Sequence, residues 1–154
     1  MNSRVGWVLT GAIVGILAVG PWQSRSEAGT GPATIRITDR QLALTRVDVG
    51  APGTSPGDME LVRTRLFQRG TGTTIGRAEL VCTFVDDTRS RICRGTYILP
   101  KGKIVVGGSV LYRQFYDLAI LGGTGLYDNA RGTLTVTRTH RRPVRDLVVF
   151  RLVG

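Results

Sequence analysis

Beyond residue 28 the chain never sustains apolar residues at helical spacing for three turns, whereas alternation of period two recurs from residue 41 to the end. Such a pattern places successive side chains on opposite faces of a pleated ribbon, so the chain must fold through strands. Val, Ile and Thr are abundant, and Gly-rich breaks separate the alternating runs. Candidate strands are 41–49, 59–69, 76–86, 89–99, 103–110, 114–122, 132–139 and 145–153. Within 76–86, Ala78, Leu80, Cys82 and Phe84 share one face, and Glu79, Val81, Thr83 and Val85 share the other. Apolar residues on both faces suit a barrel wall, filled within and covered without. Eight short, closely spaced strands predict an all-β sandwich or a closed antiparallel barrel, and periodicity does not separate the two.

Ahead of the strands the chain opens with Met1-Asn2-Ser3-Arg4, followed by an uncharged apolar or small run from Val5 to Gly20. That run is short for a membrane span, which needs about 20 apolar residues. Ser26-x-Ala28 supplies the small residues a signal peptidase requires, which predicts a signal peptide over 1–28, cleaved after Ala28. An uncleaved anchor is the alternative. No cysteine follows the run, so nothing supports a lipoprotein anchor. Cleavage leaves residues 29–154, one domain by length: a flexible entry segment over 29–40 and a β-domain over 41–154, secreted or extracytoplasmic. A loop is required at 50–58, because two prolines and three glycines in nine residues cannot hold a ladder of hydrogen bonds.

Loss of Arg4, Arg25 and Glu27 takes the formal charge from +10 to +9, nearly all of it arginine. The arginines alternate with apolar residues, as solvated outward strand positions do. Only Arg138, Arg141, Arg142 and Arg145 concentrate locally, and a patch for acidic polymers is the competing reading. No nucleic-acid partner is expected.

Cys82 and Cys93 fall in adjacent predicted strands. A turn centred on Asp87-Thr88 sets Val85 against Ser90, Phe84 against Arg91 and Cys82 against Cys93. Opposed residues of antiparallel strands bring their Cβ atoms to about 4.5–5.5 Å. With an oxidising compartment implied by export, this register predicts a Cys82–Cys93 disulfide.

Several chemistries lack their residues. His140 is the one histidine, set among Thr139, Arg141 and Arg142, so a Ser–His–Asp triad would have to use it. Two cysteines and one histidine do not make a four-ligand zinc site. Gly70-Thr71-Gly72 and Gly123-Thr124-Gly125 carry Ile75 and Asp128 where the third glycine of a dinucleotide fingerprint belongs, and there is no phosphate-binding P-loop. The expected chemistry proceeds without a cofactor.

Residues 117–133 read DLAILGGTGLYDNARGT: a strand, a glycine turn, and a second strand beginning at Gly132. Tyr127 and Ala130 are placed to pack back under the turn. This stretch resembles the signature of dirigent proteins and allene oxide cyclases, an apolar strand followed by GGTG, an aromatic and ARG. The matching residues are Gly122, Gly123, Thr124 and Gly125, then Tyr127 where Phe is commoner, then Ala130-Arg131-Gly132. Upstream, Pro56-Gly57-Asp58 with Leu66-Phe67, then Gly76-Arg77-Ala78, then Gly95-Thr96-Tyr97 and Gly102–Gly108 are similar to the family in order and spacing.

The resemblance implies a single eight-stranded antiparallel barrel, commonly trimeric, with an apolar cavity open at one end and no cofactor. It implies a small apolar or phenolic partner whose cyclisation or coupling is steered by confinement, with a separate oxidase supplying the reactive species in dirigent systems. It further implies that Arg131 orients an anionic or phenolic oxygen, that Asp58 serves as a proton donor at the mouth, and that Tyr97, Tyr112, Phe115 and Tyr116 are cavity aromatics. Arg131 as a tie of its turn and Asp58 as a cap of its loop are the structural alternatives. A non-catalytic lipocalin-like carrier and a basic envelope or polyanion-binding protein stand as the other functional readings.

Overall fold

The computed structural model describes residues 33–50, 52–87 and 89–153. The signal segment lies outside them, as does Thr88 of the turn between the two cysteine-bearing strands. Eight strands run in chain order: β1 (Ala33–Val47), β2 (Met59–Gln68), β3 (Thr74–Phe84), β4 (Arg91–Leu99), β5 (Gly102–Val110), β6 (Phe115–Gly125), β7 (Arg131–Arg141) and β8 (Val144–Val153). Each pairs antiparallel with the next, and β1 closes on β8, so the sheet has no open edge. The choice between sandwich and barrel is thus decided for the barrel. No helix long and apolar enough to cross a membrane occurs among the described residues.

The first strand begins at Ala33, earlier than the pattern predicts, and takes in part of the expected entry segment. Its opening half follows the inward alternation of Ile35 and Ile37, then departs from it at Asp39 and Gln41. Polar residues at inward positions concealed the strand.

The interior has two unlike ends. One is a solid apolar floor built from Ile37, Leu66, Ala78, Tyr97, Ile104, Leu134 and Phe150, all buried. Tyr97 and Phe150 meet edge to face, their centroids 5.1 Å apart. Toward the other end, near the β1–β2, β3–β4, β5–β6 and β7–β8 connections, the inward positions turn polar or charged: Asp39, Glu60, Arg91, Arg138 and Asp146. Bulges between Gln41 and Ala43 on β1 and between Arg138 and His140 on β7 flank β8 at this end. Bulges of this kind bend a strand and re-aim its side chains.

Cys82 and Cys93 are register partners and form a disulfide with an S–S distance of 2.01 Å. Val85 N–H donates to Ser90 O at 2.9 Å, which is the expected hairpin register.

The glycine signature sits at the apolar end. A Cβ on Gly123 would stand 2.2 Å from Tyr127 O and 2.6 Å from Lys103 O, so only glycine permits this approach. Gly125 adopts φ 66°, and Leu126 N–H then donates to Lys101 O. Ala130 is buried and Tyr127 packs against the core, both beneath the turn as predicted.

Candidate functional site

The polar end encloses a cavity of about 80 Å³. That is room for roughly half a dozen waters at about 10–15 Å³ each, or for one small ring. Its apolar walls include Val62, Leu80, Val110 and the Cys82–Cys93 disulfide. Set into those walls are two groups of charged residues, one deep and one near the mouth.

The deep group joins β1, β7 and β8. Asp39 and Asp146 are opposed in the β1–β8 register, both are buried, and Asp146 N–H donates to Asp39 Oδ1 at 3.2 Å. Arg138, opposite Asp146 in the β7–β8 register, grips that carboxylate through Nε at 3.0 Å. Asp39 has no such cation. Burial, followed by the charge of Asp146, pushes its pKa from 3.8 up to about 7. One carboxylate is therefore held by an arginine, while the other exchanges a proton near neutral pH. That division between two neighbouring carboxyls is how acid and base roles are separated in enzymes. Tyr116 lines the same space, and burial, reinforced by Asp146 and Asp39, raises its phenol well above the usual range. It remains a neutral O–H donor across ordinary pH. Thr64 Oγ1 is buried beside these groups, and its hydroxyl works against the effect of burial on the Asp39 carboxyl.

The second group lies nearer the mouth. Glu60, buried on β2, faces three guanidiniums: Arg46 at 3.1 Å, Arg91 at 3.6 Å, and Arg113 in direct contact. Arg91 is itself buried, and its guanidinium lies 5.8 Å from the Phe84 ring centroid. Burial first, then the charge of Arg113, lowers its pKa. Beyond Arg91 and Arg113 the space widens into a vestibule of about 350 Å³.

The residues expected to form the site are distributed between the two ends. Tyr97 and Tyr116 line the cavity and Tyr112 lines the vestibule, whereas Phe115 is 55% exposed and lines neither. Asp58 lies near the mouth, turned into its own loop: Oδ1 accepts from Val49 N–H at 2.8 Å and Oδ2 from Ser55 N–H at 2.9 Å. These bonds hold its carboxyl below the usual range. Arg131 begins β7 at the apolar end, where Nη1 donates to Ala130 O at 2.9 Å. The structure does not bring it near the cavity. His140 is exposed at the end of β7. Among the described residues no group of histidine, cysteine and carboxylate side chains is placed to hold a metal.

Asp39, Asp146, Glu60, Arg91 and Arg138 were missed from the sequence. A signal for them exists, because each continues a period-two run of inward apolar residues: Ile35, Ile37, then Asp39; Leu134, Val136, then Arg138; Asp146 ahead of Val148 and Phe150.

No protein-family model matches the sequence, and no curated protein matches it. Solved structures do match. Pyocyanin demethylase is 26% identical with a TM-score of 0.66, over 75% of this chain and 98% of that one. A Diels–Alderase from Streptomyces koyangensis is 20% identical with a TM-score of 0.64, covering 82% and 72%. A pterocarpan synthase dirigent protein is 13% identical with a TM-score of 0.60, covering 79% and 82%. The fold is therefore the dirigent and cyclase type of barrel, in agreement with the resemblance carried by residues 117–133.

Proposed function

We propose that this chain is an exported barrel that confines one small, largely apolar molecule at its open end and steers its cyclisation or coupling by proton transfer. The observation that carries the reading is the buried Asp39–Asp146 pair, one carboxyl held by Arg138 and the other titrating near neutrality inside a cavity. Asp39 is the proton-transfer group, Tyr116 donates to oxygen that gains charge, and Arg138 holds Asp146 in place. Asp58 shapes the mouth and Arg131 the far turn. Structural neighbours named as a demethylase, a Diels–Alderase and a dirigent pterocarpan synthase support small-molecule chemistry in this barrel type. Coupling of radicals would require a separate oxidase. Export is supported by the disulfide together with the N-terminal sequence. A homo-oligomer, by resemblance a trimer, is supported by exposed Leu61, Val81, Ile92 and Leu121 on the outer wall.

The test is native mass spectrometry of the mature protein, recovered after full-length expression with its leader and incubated with an organic extract of the source culture. Once a converted molecule is found, Asp39→Asn is expected to slow conversion by about 10²–10⁴-fold while binding persists. Conversion unaffected by this substitution overturns the acid–base reading. A molecule returned unchanged by the wild-type protein establishes a carrier instead. That second reading is favoured by the apolar walls around so small a cavity.

A further inference from the structure

Four arginines line the vestibule, Arg46, Arg89, Arg91 and Arg113, together with Phe84 and Tyr112, and among the described residues no carboxylate does. Behind them, Glu60 is shared by three of the four. One carboxylate cannot satisfy three guanidiniums of five N–H donors each. Arg91 is the extreme case. Its side chain is 5% exposed, and its contact with Glu60 is 3.6 Å long. A buried guanidinium that shares its one carboxylate with two others is a costly arrangement unless a further anion offsets the charge. Arg91 and Arg113 also stand where the vestibule meets the deeper cavity, since both line each of them. Apolar surface borders them on either side: Leu80 and Val110 within, Leu111 and Tyr112 without.

We infer that Arg91 and Arg113 form a subsite for the carboxylate of an organic acid, which anchors the substrate at the mouth with its apolar body directed along the cavity. A guanidinium matches a planar carboxylate through two parallel N–H donors, and here it is already desolvated, so the fit favours a carboxylate attached to an apolar ring or chain. The inference rests on the proposed function in one respect: the anchored molecule is taken to be the one on which Asp39 acts.

The probe is benzoate, compared with its neutral counterpart benzamide and with acetate, titrated by NMR against the mature protein at one ionic strength. Benzoate is expected to bind about tenfold or more tightly than benzamide, the usual worth of a hydrogen bond to a charged group. Arg91→Met removes the charge while keeping apolar bulk, and should abolish that preference. Arg113→Gln, at a side chain 40% exposed and so tolerant of change, should reduce it several-fold even if Arg91→Met does not fold. Benzoate binding unchanged in Arg113→Gln, or no tighter than benzamide in the wild type, overturns the inference. Acetate binding as tightly as benzoate overturns it as well, because the vestibule would then be a plain anion site. None of these readouts depends on turnover. A failed anchor leaves the role of Asp39 standing, and an inert Asp39 leaves the anchor standing.

Discussion

Replacing Asp39 with asparagine keeps the shape of the side chain and its acceptor for the Asp146 N–H, and removes only the ability to ionise. In the folded protein burial and the neighbouring Asp146 charge raise this carboxyl from 3.8 to about 7. The sign of the effect follows from counting protons. Between those two values the folded chain holds a proton that the unfolded chain has released, so raising the pH through the window favours unfolding. At about 1.4 kcal/mol per pH unit, the interval from 3.8 to about 7 corresponds to about 4 kcal/mol. Relaxation and entry of water around the charge make that figure an upper bound. The wild type should therefore lose up to about 4 kcal/mol between pH 4 and pH 8 relative to Asp39→Asn. The two proteins should be nearly equal at the acid end, with the variant more stable at the alkaline end. Urea unfolding at four or five pH values measures this directly, and the difference between the two curves cancels the titrating groups that do not interact with Asp39. Parallel curves would refute the assignment of the raised pKa to Asp39. A variant that loses stability as the pH rises would refute its sign.

Three further outcomes are expected. Arg138→Met leaves the buried Asp146 carboxylate beside Asp39 without its cation and should cost about 2–3 kcal/mol at pH 7, read by urea unfolding. Glycine 123 is hemmed by backbone oxygen, so Gly123→Ala should destabilise by about 3 kcal/mol or more while benzoate binding at the opposite end survives in whatever folds. Converting both Cys82 and Cys93 to serine releases a link with a sequence separation of 11 residues, and loop-closure entropy predicts a loss of about 3 kcal/mol in the unfolding free energy.

The eight strands were legible because most obey alternation, and the disulfide was legible because one turn position fixes the whole cysteine register. The beginning of β1 was hidden by an inward Asp39 where alternation calls for an apolar residue. The glycine signature points to the right fold, and it lies at the end opposite the charged cavity. Its conformational demand is local, a turn in which Gly123 meets backbone on two sides, and that demand is far from the charged cavity. Tyr97 and Tyr116 could be named as cavity aromatics from their place in the family-like order, yet the identical reasoning included Phe115, which faces outward one position away. Asp39 and Asp146 lie far apart in sequence, and no spacing rule brings them together until β1 closes the barrel against β8.

That closure, with its solid floor of Tyr97, Phe150 and their neighbours, has a consequence for ligand shape. A vessel with a packed floor opens away from it, toward Arg91 and Arg113. A long chain cannot thread through, and groups projecting beyond the rim are left in solvent, where selection for one partner over another has to be made.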